Sequence, residues 1–186
     1  MTGVTATTQD NVPCSNFPGP STGMYVQGLT GMTPSSSTVI PYVYNVCFWA
    51  KGIGAPLFIG PAAVAGSNIY CCFILKQNTA TVNLGNIPLT VSDIDTSKWH
   101  HYRFQFSRSV ADTSTYNIEL FIDGQLKASE SGISAGLVPA FLSLGKVYGP
   151  ANQIFQAADF SGYIAAVRIY TWEGDATVPD LSSLHL

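Results

Sequence analysis

The sequence predicts an all-β protein, an antiparallel β-sandwich of two sheets, and a few local patterns carry that expectation. Residues 99–124 read as strand, polar connection, strand and tight turn. Tyr102, Phe104 and Phe106 alternate with His101, Arg103, Gln105 and Ser107, and Tyr116, Ile118, Leu120 and Ile122 alternate with Thr115, Asn117, Glu119 and Phe121. Each of these strands is expected to have one wet face. Residues 69–75 form an unbroken apolar run of strand length, which suits a central strand covered on both faces. No stretch sustains a helical period, and no internal repeat is visible.

Taken in order, residues 1–23 are rich in Thr, Asn, Pro and Gly with little periodicity and read as an irregular arm, mobile or laid against the sandwich or a neighbour. The sandwich is assigned to residues 24–175 and a C-terminal tail to 176–186. Residues 24–29 read as a short first strand and 39–50 as the first strong one, with Pro41 near its start, where a missing N–H does least harm. A turn at 52–56, a short strand at 57–60 and a loop of small residues precede the central run. That run is expected to pair with 81–84 across Gln77 and Asn78. Residues 87–91 and a polar connection lead to Trp99. Asp123-Gly124 tolerates positive φ, so 125–128 is expected to complete a hairpin. A strand at 141–145 follows, then 146–159, polar yet holding aromatics. In the last strand Tyr163, Ala165, Val167 and Ile169 alternate with Ile164, Ala166, Arg168 and Tyr170.

Trp99-His100 opening a strand, with Asp123-Gly124 closing the next, resembles the laminin G-like branch of the concanavalin A-like sandwiches. Residues 46–51, VCFWAK, are similar to that family's early S-F-W-V-K strand, and 142–145, LSLG, to its L-x-I-G strand. Residues 160–170, FSGYIAAVRIY, are similar to its closing F-x-G-x-I-D-E-V-R-I-Y. The resemblance runs from about residue 46 to residue 172 and implies a concanavalin A-like jelly roll.

Composition bounds the partners. At 186 residues the chain suits one domain, and such a domain buries roughly 70% of the surface its unfolded chain exposes. Charged residues are only 10% of the chain, against about 25% in an average soluble domain. The exterior is therefore built from neutral polar residues, as on extracellular adhesion modules and on subunits packed closely against neighbours. Eight Lys and Arg against eleven Asp and Glu give a net charge of -3 with no basic run, which argues against nucleic acid. The longest apolar run is too short for a membrane span. The first residues lack a basic and an apolar region, so no signal peptide is expected in this chain, and an extracellular or virion surface is favoured without fixing the compartment.

The four cysteines, Cys14, Cys47, Cys71 and Cys72, allow three pairings if all are oxidised. Cys71 and Cys72 are adjacent and point to opposite faces of a strand, and no C-x-x-C spacing suggests zinc. The plainer reading is that Cys47 and one of the vicinal pair are small buried hydrophobes.

Enzymatic chemistry is not expected. Glycoside hydrolysis needs two carboxyl groups across the scissile bond, and the E-x-D-x-E triplet of the resembling glucanases is absent. Glu119 and Asp123 share a parity, but Asp123 belongs to a turn. His100 and His101 sit at the Trp-His fold marker, where a structural role is expected, with a histidine nitrogen bonding a neighbouring loop. The resemblance leaves calcium open, since many such domains bind it at the sandwich rim. The acidic candidates are scattered over Asp93, Asp95, Asp112, Asp159 and Asp175, with Asp95 and Asp159 first. The closing motif has Ala165-Ala166 where the family usually shows an acidic pair. No obligatory cofactor is predicted.

Ligand binding without catalysis remains. Tyr148, Asn152, Gln153 and Phe155 offer aromatics that stack on a sugar and amides that bond its hydroxyls in one loop, and Tyr25 and Gln27 do so more weakly. The competing reading is that these aromatics only cover the sheet. The expected function is a non-catalytic recognition module that engages glycan or protein through rim loops. The alternative is a structural subunit of a larger assembly, such as a virion or extracellular filament, that self-associates through the N-terminal arm.

Overall fold

Alternation along the chain becomes two packed sheets. The computed structural model describes residues 3–19, 22–27, 42–61, 70–108, 115–134, 139–146 and 159–173. One sheet holds β1 (Thr5–Gln9), β2 (Val12–Pro18), β4 (Tyr42–Ile53), β9 (His100–Arg108), β10 (Tyr116–Ile122), β11 (Gln125–Ile133) and β13 (Ser161–Glu173). Its order is β1-β2-β13-β4-β9-β10-β11. The other holds β3 (Met24–Gln27), β5 (Leu57–Pro61), β6 (Cys71–Lys76), β7 (Asn78–Leu84), β8 (Ile87–Ile94) and β12 (Pro139–Leu144), in the order β3-β12-β5-β6-β7-β8. Neighbouring strands run antiparallel throughout.

The core lies between the inner faces. Tyr44, Val46 and Phe48 of β4, Tyr102, Phe104 and Phe106 of β9, and Ile118, Leu120 and Ile122 of β10 are all buried in one cluster with Leu57, Ile59, Phe73 and Leu75 of the opposite sheet. Phe73 meets Phe48 edge-on at 4.9 Å and Phe104 at 6.1 Å. Such edge contacts add roughly 1 kcal/mol each beyond area burial and fix the sheets' relative placement. The unbroken run at β6 has the expected cause. Cys71, Phe73 and Leu75 face the main core, while Cys72, on the outer face, is buried with Phe58 and Ala55.

Two strand pairs turn through the geometry their residues favour. Asp123 (φ 51) and Gly124 (φ 77) link β10 to β11, as the sequence predicts. Asp10 (φ 53) and Asn11 (φ 66) do the same between β1 and β2.

That second hairpin corrects the expectation of an irregular arm at residues 1–23. β2 pairs with β13 from Pro18 to Ser15, and Phe17 is fully buried against Phe160 at 6.0 Å, so this segment shares the sandwich's core. Threonine and asparagine conceal the strand because neither is apolar, yet β-branched Thr suits an exposed edge.

β13 brings a further correction, because its single alternation is interrupted. Ala165 pairs with Trp49, but Arg168 pairs with Cys47, so Ala166 and Val167 together oppose Phe48. This bulge, with Ala166 at φ 49, reverses the parity: Ile164 is inward before it, Val167 and Ile169 after it.

Candidate functional site

The outer face of the seven-stranded sheet carries the polar members of the alternation. It is not wet at its centre, contrary to the sequence expectation. His101, Arg103 and Gln105 are buried, as are Asn45 and Cys47 on β4. Neighbouring side chains explain the burial. The Arg103 guanidinium lies 3.7 Å above the Phe121 ring, and His101 packs against Trp49 with ring centroids 5.3 Å apart. Gln105 donates from Nε2 to Glu119 Oε2 at 2.8 Å. The register sets Tyr170, Asn45, Gln105, Glu119 and Ser129 side by side across β13, β4, β9, β10 and β11. In that row Asn45, only 3% exposed, keeps Oδ1 without a hydrogen-bond partner among the described residues. A buried lone acceptor of this kind is costly unless a donor reaches it.

Beside that row lies a trough of about 460 Å³, lined by Ser107 of β9, Asn117 and Glu119 of β10, and Ser129, Glu130 and Ser131 of β11. Ser107 pairs with Asn117 and Glu119 with Ser129 in register, so strand pairing itself gathers the group. A register shift between Tyr116 and Ile118, next to Gly132 at φ 72, gives β11 an extra residue and brings Ser131 alongside. Among the described residues the lining offers hydroxyls, an amide and two carboxylates, with no cation. The sequence reading put Asn117, Glu119 and Ser107 on polar strand faces without naming a site. Its missed signal is the recurrence of Ser, Asn and Glu at alternate positions on three strands that neighbour one another. A second cleft, of about 330 Å³, is apolar and runs past Cys14, Phe17, Met24, Leu144 and Ala166.

The rim residues predicted from sequence, Tyr148, Asn152, Gln153 and Phe155, lie outside the described residues, as do Asp112, Asp175 and the tail at 176–186. Tyr25 and Gln27 fall in β3. The two first calcium candidates, Asp95 and Asp159, are described. Asp95 Oδ1 accepts from the Ser97 backbone and hydroxyl, and Oδ2 pairs with Lys98 at 3.0 Å. The carboxyl is thereby held down to a pKa of about 2, the Ser97 hydroxyl contributing most and Lys98 next. Asp159 joins Ala55 through a parallel backbone bridge. Among the described residues, no group of three or more His, Cys, Asp or Glu is arranged to hold a metal ion.

The Trp-His marker is a clasp. His100 Nδ1 meets Asp123 Oδ2 at 2.7 Å and Nε2 meets the Asp95 carbonyl at 3.1 Å, while the His101 N–H donates to Asp123 Oδ1 at 2.9 Å. The β8–β9 connection is thus tied to the β10–β11 turn. Asp123 is committed to this clasp and Glu119 accepts from Gln105. Four residues of strand rise separate them by roughly 13 Å, beyond the carboxyl spacing glycoside hydrolysis uses.

No family model matches the chain, and no curated protein matches it. Solved structures do. Mouse laminin α1 domains LG4-5 superpose with a TM-score of 0.58 at 15% identity over 87% of this chain and 42% of that one. The botulinum neurotoxin serotype D binding domain gives 0.61 at 13% identity over 99% and 44%. The Ruminococcus gnavus sialidase CBM40 bound to α2,6-sialyllactose gives 0.50 at 13% identity over 87% and 96%. The chain spans less than half the length of the laminin and neurotoxin structures. With the two antiparallel sheets and the core between them, these likenesses show that the chain has the concanavalin A-like sandwich fold of laminin G-like domains.

Proposed function

We propose that the chain is a non-catalytic recognition module and that the trough over β9, β10 and β11 takes a neutral saccharide. The observation that supports this most is the trough's lining: Ser107, Asn117, Glu119, Ser129, Glu130 and Ser131 present alternating acceptors and hydroxyls at the spacing of neighbouring strands. A sugar's hydroxyls both donate and accept, so they suit such a surface. Glu119 and Glu130 would repel a carboxylated sugar, so the ligand differs in charge from the sialyllactose seen with CBM40. Binding roles among the structural neighbours lend support in kind, since a laminin domain, a toxin binding domain and a carbohydrate-binding module share the fold. A fold alone does not choose a ligand.

The rim loop bearing Tyr148, Asn152, Gln153 and Phe155 is the competing location, and a protein surface the competing ligand. A glycan array followed by titration with the best neutral hit separates the locations. Asn117→Ala with Glu119→Gln should weaken binding about tenfold or more, as loss of a pair of hydrogen bonds implies. Tyr148→Ala with Phe155→Ala should leave it within about twofold. The reverse pattern moves the site to the rim, and an array with no neutral hit removes the saccharide reading.

A further inference from the structure

Among the described residues, each sheet ends in two strands with a neighbour on one side only: β1 and β11 in one, β3 and β8 in the other. An open edge presents unpaired N–H and C=O groups, and proteins that avoid edge pairing blunt it with charge, proline, bulges or shortness. Three of these edges are blunted. β11 carries Lys127 and Glu130, and its ladder with β10 is broken by register shifts on either side of Ile118 and Leu120. β8 carries Pro88 and Asp93 beside a shift at Asn78. β3 is only four residues long. β1, TATTQ, has no charge, no proline and an unbroken register, and Thr5, Ala6, Thr7 and Thr8 are all exposed.

We propose that β1 is an assembly edge whose occupant is β1 of a second copy, antiparallel across a two-fold axis, so that the two seven-stranded sheets become one. Register singles out which groups take part. A two-residue hairpin closes on a mutually bonded pair, here Gln9 with Val12, and bonded pairs then alternate. Thr5, Thr7 and Gln9 therefore bond β2, while Ala6 and Thr8 direct their backbone N–H and C=O outward. Pro13, opposite Thr8, sits where β1 asks nothing of its missing N–H. In the paired state Ala6 of one copy bonds Thr8 of the other, and Thr7 meets its own counterpart at the axis. A residue opposite itself must not carry charge, and facing threonines are a favourable cross-strand pair.

The trough lies at the far side of the same sheet, over β9 to β11, so pairing through β1 leaves it open. A two-fold axis perpendicular to the sheet turns both troughs to the same side. A surface dense in ligand would then be bound at two points, with the avidity that linkage confers. The pairing itself does not depend on the trough being a sugar site.

Sedimentation of the full chain over a range of concentrations tests this. The wild type should rise from 19.8 kDa toward twice that mass. Thr7→Lys and Thr7→Glu should each stay at monomer mass with unchanged circular dichroism, and an equimolar mixture of the two should regain the dimer. Hydrogen exchange adds a residue-level readout: association should protect the Ala6 and Thr8 amides, while Thr7, bonded to β2, is protected in every sample. A wild type that stays monomeric, a Thr7→Lys chain that associates as well as wild type, or a mixture that fails to pair overturns the proposal. If Ala6 and Thr8 become protected only when an extended peptide is added, the occupant is a foreign strand and the second-copy assignment falls.

Discussion

Gly52 of β4 and Gly162 of β13 face each other across the ladder, with the Phe160 ring close over both. Their φ angles, 143° and 150°, lie where L side chains are strained. A Cβ on Gly52 would strike the Ser161 carbonyl oxygen and approach the Gly162 Cα to 2.8 Å; one on Gly162 would strike the Lys51 carbonyl oxygen and approach the Gly52 Cα equally closely. Both obstacles are backbone, so no rotamer relieves them. Gly162→Ala should therefore cost about 3 kcal/mol, combining backbone strain with overpacking. Gly85→Ala, at φ 58 with no described residue within 4 Å, should cost only about 1 kcal/mol. Urea denaturation compares them, and equal costs would refute the steric account.

The bulge at Ala166 stores strain of the opposite kind. An exposed alanine at φ 49 holds a conformation that glycine adopts freely. Ala166→Gly should stabilise the protein by about 1 kcal/mol, because relief of the left-handed conformation outweighs the added freedom of the unfolded chain. Val167→Gly, one residue on, removes a side chain packed on the core and should destabilise. A melting temperature that falls with Ala166→Gly would show that the bulge is not strained.

These two places mark what was legible in the sequence. The inward aromatics of β9 and aliphatics of β10 were readable because a period of two admits one solution once Asp123-Gly124 fixes the turn. The F-x-G string at 160–162 was readable as a marker, but its cause, the facing Gly52, lies more than a hundred residues away. The bulge was hidden because alanine at 166 carries no glycine or asparagine signal, and an alternation continued through it groups Tyr163 and Ala165 with Val167 and Ile169, from which the bulge separates them. The trough was hidden for a different reason. Its residues lie on three strands, and only the β10–β11 register shift aligns Ser131 with the rest.

Asp95 predicts a pH dependence. Its folded pKa of about 2 lies below the ordinary 3.8, so between those values the unfolded chain binds more protons than the folded one. The contribution is therefore fully present above the unfolded value and lost as pH falls through the folded one. Ser97→Ala removes the largest cause, and should flatten the dependence between about pH 4 and pH 2. Urea midpoints of wild type and variant should converge at the acid end of that window, after differing at neutral pH. Parallel curves across the window would mean that Ser97 does not set this titration.

All four cysteines are free and buried, although the sequence left three pairings open. Burial raises every thiol: Cys72 to about 12, Cys71 well above its ordinary value, and Cys47 and Cys14 in the same direction. At pH 8 a thiol with a pKa of about 12 is ionised in only about one molecule in ten thousand, and the thiolate is the reactive form. Native protein should therefore react slowly with a thiol reagent, and unfolded protein promptly at all four positions. Cys14 should lead, because it alone lines the open apolar cleft and is 9% exposed. Cys14→Ser should remove that first phase and leave the rest unchanged. Prompt native labelling of Cys72, or an intact mass that rises by two hydrogens on reduction, would contradict the buried-thiol assignment and reopen the disulfide question.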